Sequence, residues 1–246
     1  MKPDLKPEFI IPDWPAPPSV RVIQTTRHGG VSAAPYVSLN LGDHVGDDPA
    51  AVAENRQRLR AHLPMEPVWL KQVHGIHCLD AATATAGTEA DAAFTRQPGV
   101  VCAVLTADCL PVLFCDVTGS MVAAAHAGWR GLAAGILEQT VAAMQVPADQ
   151  LIAWLGPAIG PQHFEVGDDV RIAFLNRHPR CERAFAPKTN GKWLCNLYTL
   201  ARFRLEAMGI CRITRADYCT VSDPGRFFSY RRDGMTGRTA TLIWRQ

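Results

Sequence analysis

Three apolar runs in the middle of this 246-residue chain restrict its fold more than any other feature. They cover residues 100–105, 111–116 and 121–125. Short runs in which nearly every residue is apolar are typical of strands buried on both faces of a sheet. Apolar residues at helical spacing after Leu132 and before Gly209 predict helices that cover such strands. We therefore expect an α/β (α+β) fold with mixed β-sheets flanked by helices.

Apolar spacing elsewhere predicts the remaining elements. Asp48 as N-cap and Pro49 as first helical residue predict a helix that ends near Leu63. The helix that begins near Leu132 should continue to Met144, because its apolar residues keep helical spacing. Further strands are predicted over residues 19–26, 68–73, 151–155, 210–214 and 239–244, and further helices over residues 168–176 and 197–208.

The domain organisation follows from the length and from one proline-rich stretch. Residues 11–18 are rich in proline, which favours a stiff, extended segment. We therefore predict that residues 1–18 form an extended N-terminal lead-in. No repeat or low-complexity segment divides the rest, so residues 19–246 are predicted to form a single domain.

The composition argues against several classes of protein. A net charge of +2 is too small for binding nucleic acid or an anionic membrane through bulk electrostatics. Eight cysteines on a chain of this length are not typical of a disulfide framework, which mostly serves short secreted proteins. The chain starts without an apolar signal segment, and no apolar run approaches the roughly 20 residues that span a bilayer. We expect a cytoplasmic protein with reduced thiols and with no nucleic-acid or membrane partner.

Polar side chains follow or precede the predicted strands at three places. His74 follows residues 68–73, Cys109 follows residues 100–105, and His126 follows residues 121–125. One thiol and two imidazoles form a ligand set that suits Zn²⁺ or copper. Three protein ligands would leave one position open, which is the arrangement of a catalytic zinc rather than a structural one.

The same residue types permit two other interpretations. Cys109 could be a nucleophile with His74 or His126 as its general base. Alternatively, the thiol is a packing group and the histidines are ordinary satisfied polar residues. The ligand spacing is far longer than that of a compact zinc module, so the residues alone leave these alternatives open.

Further polar clusters indicate where an anion or a planar ring could bind. Gly128 and Gly131 flank Arg130 at a predicted helix start, where free N–H groups favour an anion; a tight turn with a surface arginine is the alternative. Other polar clusters contain Arg27 and Asn40, and an aromatic-rich segment contains Arg231 and Arg232.

Several of these segments together resemble one family. The motifs are TRHGGVS (residues 26–32), NLG (40–42), QVHG (72–75), ADCLP (107–111), HAGWRG (126–131), GPAIG (156–160), FEV (164–166) and SYRR (229–232). They occur in this order in the YfiH/laccase-domain family, also called the multicopper polyphenol oxidase family and now described as purine nucleoside phosphorylases. The resemblance extends from about residue 20 to the C-terminus.

The resemblance implies a single YfiH-like catalytic domain, similar in fold to the cytotoxic necrotizing factor catalytic domain. It implies that His74, Cys109 and His126 bind one zinc ion and act in catalysis. It further implies phosphorolysis of adenosine, inosine, guanosine and methylthioadenosine, together with deamination of adenosine. Copper-dependent laccase activity is an older assignment, and bacterial members are also linked to correcting peptidoglycan precursors.

These implied activities assign roles to the polar residues. Asp108 is the carboxylate nearest in sequence for proton transfer during deamination. We predict that Arg130, with Arg27, binds phosphate, and that Asn40, Arg231 and Arg232 also contact the substrate. The predicted ligands are thus zinc, with copper possible, a small-molecule nucleoside and phosphate, on a chain taken by default as a monomer. A copper polyphenol oxidase, a peptidoglycan-precursor hydrolase and a non-catalytic nucleoside-binding protein are the rival hypotheses.

Overall fold

The computed structural model describes residues 6–246, and within them it contains three β-sheets and six α-helices. The strands are β1 (Phe9–Ile10), β2 (Val20–Thr25), β3 (Cys78–Asp80), β4 (Ala92–Thr95), β5 (Cys102–Thr106), β6 (Leu110–Asp116), β7 (Val122–Ala127), β8 (Leu151–Leu155), β9 (Glu165–Val166), β10 (Phe185–Pro187), β11 (Trp193–Cys195), β12 (Arg212–Arg215) and β13 (Thr239–Arg245). The helices are α1 (Pro49–Arg60), α2 (Trp129–Ala134), α3 (Ile136–Met144), α4 (Asp168–Leu175), α5 (Leu197–Ala207) and α6 (Tyr230–Asp233). The α+β architecture with mixed sheets is therefore confirmed.

The largest sheet has the strand order β12-β8-β6-β7-β4-β3, with β6 and β7 at its centre. Alternate side chains of β6 enter different cores: Val112 and Phe114 pack with the helices, whereas Leu113 and Cys115 pack against the second sheet. The apolar runs therefore behave as predicted, because both faces of this sheet are buried.

The second sheet has the order β1-β2-β13-β5, and all of its pairs are antiparallel. Val104 of β5 faces the core that it shares with the large sheet, while Ala103 and Leu105 face a third core beneath α1. The lead-in contributes to this sheet, since Phe9 and Ile10 pair with β2. Residues 1–5 of the predicted lead-in lie outside the described residues.

The helix termini follow local chemistry. The Asp48 side chain caps α1 by accepting a hydrogen bond from the Ala50 N–H, and Pro49 is the first helical residue. The helix predicted from Leu132 to Met144 is wrong in one respect: Gly135, at φ 117°, ends α2 and begins α3. The left-handed conformation changes the direction of the backbone while the apolar spacing continues through it.

The strand predicted over residues 68–73 is also wrong. Only isolated bridges form there, between Val68 and Cys102 and between Lys71 and Glu89. At the end of this segment the Gln72 side-chain amide both donates to the Leu105 carbonyl and accepts from the Leu105 N–H. These side-chain hydrogen bonds take the place of backbone pairing between strands.

Within residues 6–246, no helix has the length and apolar character needed to cross a membrane.

The turn between β6 and β7 is built around the buried carboxylate of Asp116. It accepts hydrogen bonds from the Met121 N–H at 2.7 Å, from the Ser120 hydroxyl at 3.0 Å, and from both the N–H and the hydroxyl of Thr118. Burial raises the pKa of Asp116, but these hydrogen bonds outweigh it and leave that pKa below its usual range.

Asp116→Asn should therefore destabilise the fold at neutral pH. We expect the free energy of unfolding to fall by about 1–3 kcal/mol, because an amide cannot accept all of these hydrogen bonds. Since the folded-state pKa is lowered, the carboxylate stabilises the fold above its unfolded pKa of about 4 and loses this effect as the pH falls further. Urea unfolding at pH 7 and pH 3 tests this: the difference between wild type and variant should narrow at pH 3.

Asp149→Asn is the control for this change, because Asp149 is exposed. Its effect should stay within about 0.5 kcal/mol at both pH values. A difference between wild type and Asp116→Asn that is equally large at pH 3 and pH 7 would contradict the assigned role of the Asp116 charge.

Candidate metal centre and binding pocket

His74, Cys109 and His126 come together at one end of the large sheet. Their ligand atoms all lie within 4.8 Å of one another. The Cys109 Sγ is 3.8 Å from Nε2 of His74, and the two imidazole rings meet edge to face with centroids 4.8 Å apart. His126 is buried, Cys109 is half-buried and His74 is exposed, so the cluster opens toward solvent on the His74 side.

Strand pairing and two unusual backbone conformations produce this cluster. His126 lies near the end of β7, where it pairs with Pro111 at the start of β6, and Cys109 immediately precedes β6. Asp108 has φ 89° and His74 has φ 60°, a region that non-glycine residues rarely adopt. The chain therefore turns sharply at the residue before Cys109 and at His74 itself.

A buried carboxylate that sequence reasoning missed, Asp91, contacts two of these ligands. Its Oδ1 accepts a hydrogen bond from Nδ1 of His126 at 2.8 Å and from the His74 N–H at 2.9 Å. Its Oδ2 accepts from the N–H groups of Gly75 at 2.6 Å and Val73 at 3.2 Å. The sequence offered one signal for Asp91: a carboxylate flanked by alanines directly before β4.

The protonation states follow from these contacts. Burial raises the pKa of the Cys109 thiol, but the charges and hydrogen bonds of His126 and His74 outweigh it and lower that pKa to about 6. Burial lowers the pKa of His126, but Cys109 and Asp91 raise it to about 9. Burial also raises the pKa of Asp91, and His126 with the Gly75 and Val73 N–H groups lowers it overall. The site therefore favours a thiolate at neutral pH.

Gly128 has no side chain, and this makes room for the side chains of His74 and Cys109. A Cβ at this position would lie 2.9 Å from Cδ2 of His74 and 3.0 Å from the Cys109 Sγ. No side chain fits there without moving a ligand. Gly128 is also the N-cap of α2, but that helix has only six residues.

The three residues of the cluster line a cavity of about 440 Å³. Of the predicted substrate residues, Arg130 and Arg231 line it, as does Asp108. The other polar and aromatic lining residues, to which the sequence analysis gave no individual role, include His44, Gln72, Trp129, Phe164, Tyr230 and Arg238. Their positions depend on contacts between distant segments, which the local sequence does not reveal.

Three predicted substrate residues lie away from this cavity. Arg27 donates to the carbonyls of Val37 and Pro224. The buried Asn40 side chain forms hydrogen bonds with Gly42, with Asp47 and with the Arg238 N–H. The Arg232 guanidinium donates to the Asp233 carboxylate and to the carbonyls of Thr220, Val221 and Phe227. These three side chains hold loops in place, and the cavity lining does not include them.

Asp108 holds the chain segment that carries the aromatic and arginine side chains. Its Oδ1 accepts from the Thr220 hydroxyl at 2.5 Å, and its Oδ2 accepts from the Ser229 hydroxyl at 3.0 Å and the Arg231 N–H at 2.6 Å. Both oxygens are therefore already used. Proton transfer by Asp108 stays a prediction, and these contacts favour a positioning role.

Comparison with known proteins identifies the family. Residues 21–246 match the sequence profile of a family described as multi-copper polyphenol oxidoreductase laccase. The chain belongs to this family.

Relatives in this laccase family cover nearly the whole chain. A purine nucleoside phosphorylase of Pseudomonas aeruginosa is 54% identical over 97% of this chain and 98% of its own length. The purine nucleoside phosphorylase YfiH of Escherichia coli is 52% identical over 96% and 98%. The crystal structure of a Neisseria meningitidis protein superposes with a TM-score of 0.94 at 51% identity, covering 97% of this chain and 99% of the other.

The donor set fits a metal ion of the kind that the laccase family name implies. A thiolate and two imidazoles suit copper and zinc, whereas magnesium and calcium require oxygen ligands. Asp91 supplies the carboxylate that commonly supports a metal-binding histidine through its other ring nitrogen. The cluster could therefore hold one metal ion with an open position toward the cavity.

Gly128→Ala should weaken metal binding while the fold remains. The backbone at Gly128 (φ −57°, ψ 152°) accepts alanine, but the new methyl group displaces His74 or Cys109. We expect affinity for Zn²⁺ to fall by about tenfold or more, as when ligand orientation is lost. Competition with a chromophoric chelator measures this effect.

Gly225→Ala is the matched control, because a Cβ there meets nothing closer than the Asp223 carboxylate at 3.5 Å. It should bind Zn²⁺ like the wild type. Unchanged affinity in Gly128→Ala would mean that the ion does not bind between these three residues.

Proposed function

We propose that this protein is a zinc-dependent purine nucleoside phosphorylase that also deaminates adenosine. The observation that carries the proposal is a His-Cys-His cluster in the wall of a cavity that arginines and aromatic rings also line. The purine nucleoside phosphorylase names of similar relatives support the phosphorolysis part of this proposal.

His74, Cys109 and His126 would hold the zinc ion. When bound, zinc supplies Lewis-acid chemistry in the cavity. Cys109 would serve as a thiolate ligand, which the lowered pKa of its thiol favours. Two neutral imidazoles and one thiolate reduce the charge of the ion without cancelling it, so the site retains electrophilic character.

Phosphorolysis exchanges one bond at the anomeric carbon. The bond from C1′ to the purine nitrogen breaks, a bond from C1′ to a phosphate oxygen forms, and the departing base takes the electron pair and then a proton. Phosphate must therefore be held beside the sugar. Arg130, Arg231 and Arg238 line the cavity and form no ion pair with any residue in the range 6–246. Their unneutralised charges suit a phosphate ion.

The aromatic side chains suit the purine. Trp129, Phe164 and Tyr230 line the same cavity, and Tyr230 is 63% exposed. The guanidinium of Arg231 lies 5.5 Å from the centre of the Phe164 ring, and that of Arg130 lies 4.5 Å from the Trp129 ring. Rings and guanidinium groups arranged in this way can stack on a planar base.

Deamination requires a different exchange at the purine ring. Water supplies the oxygen: a C6–O bond forms, the C6–N bond of adenosine breaks, and of the two protons of that water one stays on the purine and one leaves with the nitrogen as ammonia. Both reactions involve purine nucleosides, so one cavity can serve both.

Laccase chemistry has less support, because the four-electron reduction of oxygen uses several copper ions. Residues 6–246 contain one group of three potential metal ligands, which suits a single ion.

One observation favours a second candidate function. Asp91, His126 and Cys109 follow the order of an acid, an imidazole and a nucleophile, which is the arrangement of a cysteine hydrolase. A thiol nucleophile does not require a second imidazole, whereas a metal site does. His74, 3.8 Å from the Cys109 Sγ, therefore favours the metal.

The reaction itself is tested with purified protein, adenosine and phosphate. We expect adenine and ribose-1-phosphate from phosphorolysis and inosine from deamination, with one zinc per chain by elemental analysis. Cys109→Ala should lose the zinc and lower both rates to background, because it removes the anionic ligand. Asp116→Asn, at the opposite end of β6, should keep zinc and both rates. Zinc-loaded protein that forms none of these products would overturn the proposal.

Chelation and alkylation separate the metal enzyme from the thiol hydrolase. A zinc ligand should react slowly with iodoacetamide, and removing zinc with a chelator should abolish phosphorolysis and accelerate alkylation of Cys109. Mass spectrometry of the modified peptide and a parallel activity assay measure both effects. Activity that persists after chelation but disappears on alkylation would instead support the cysteine nucleophile.

A further inference from the structure

Asp91 determines which nitrogen of His126 is available to a ligand. The carboxylate is fully buried, and three backbone N–H groups donate to its two oxygens, so it acts as a hydrogen-bond acceptor. Nδ1 of His126, 2.8 Å from Oδ1, must therefore carry the proton that forms this bond. In the neutral ring, which is the form that binds a metal ion, the lone pair of His126 then lies on Nε2.

The same carboxylate fixes the backbone that carries His74. Three consecutive N–H groups, from Val73 to Gly75, converge on its two oxygens at 2.6–3.2 Å. This convergence holds His74 at φ 60°, a conformation that an unsupported histidine rarely adopts. Without these acceptors the segment would relax and carry the imidazole with it.

One oxygen joins the two histidines. Oδ1 of Asp91 accepts from the His126 ring and from the His74 backbone, although the two residues lie in segments far apart in sequence. The Asp91 backbone carbonyl also accepts from the His126 N–H at 2.7 Å. The Asp91 side chain thus orients the His126 ring and the His74 backbone together, whereas strand pairing places the His126 backbone beside the start of β6.

We propose that Asp91 is a positioning residue that fixes both imidazole ligands of the metal centre at once, one through its ring nitrogen and the other through its backbone. The proposal rests on the zinc site of the proposed function and concerns metal affinity rather than catalysis. Removing the carboxylate should disturb two of three ligands together, which is a larger effect than loss of a contact to one histidine.

The test compares Asp91→Asn with the wild type, using Zn²⁺ and Co²⁺ as probes. Asparagine keeps the shape of the side chain, but its amide nitrogen cannot accept from the N–H groups that one oxygen now serves. We expect Zn²⁺ affinity to fall by about 10–100-fold, as for other groups that orient metal ligands. The Co²⁺ absorption bands, which report ligand arrangement, should shift in position.

Asp116→Asn is the matched control, since it makes the same change at a buried carboxylate remote from the cluster. It should lower stability while leaving Zn²⁺ affinity and the Co²⁺ spectrum unchanged. If Asp91→Asn binds Zn²⁺ as tightly as the wild type, with the same Co²⁺ bands, the positioning role is wrong. If the wild type itself binds neither ion, the zinc site of the proposed function fails as well, which separates the two failures.

If Asp91→Asn does not fold, the protonation of the His126 ring nitrogens in the wild type tests the same proposal. In zinc-loaded protein labelled with ¹⁵N-histidine, NMR should detect a proton on Nδ1 of His126 and a metal-shifted Nε2. A ring protonated on Nε2, with Nδ1 bound to the metal, would overturn the proposal. This readout does not depend on activity.

Discussion

The antiparallel pairing of β6 with β7 is the constraint on which the rest of the structure depends. Both strands are buried along their whole length, so their register is fixed by packing on two faces at once. The pairing of Pro111 with His126 sets Cys109 beside that imidazole. A one-residue slip would turn every side chain of the shifted strand to the opposite face and separate the thiol from the imidazole.

Features that depend on local sequence could be predicted. The apolar runs of β6, β7 and β8 identify strands because sheet burial on two faces leaves a continuous pattern. The N-cap at Asp48 is likewise visible in the sequence, because capping involves neighbouring residues. His74, Cys109 and His126 stood out as polar residues next to predicted strands, and the structure brings them together although the strand before His74 does not form.

Features that depend on distant contacts could not be predicted. Asp91 becomes significant only where the fold brings the His74 segment and β7 to it. Arg27, Asn40 and Arg232 belong to the family motifs but hold loops, so their place in a motif did not indicate contact with the cavity. Gly135 interrupts a helix whose apolar pattern runs on unchanged, because its effect on the backbone is independent of that pattern.

The lining of the cavity comes from segments spread along nearly the whole chain, from His44 to Arg238. No contiguous fragment therefore contains a complete binding site, and the shape of the cavity depends on how all of these segments pack together. A chimera assembled from two relatives would combine cavity-lining segments whose side chains pack against different neighbouring segments in each parent. For this architecture, changes of specificity are better sought through single substitutions at the rim of the cavity than through exchange of blocks of sequence.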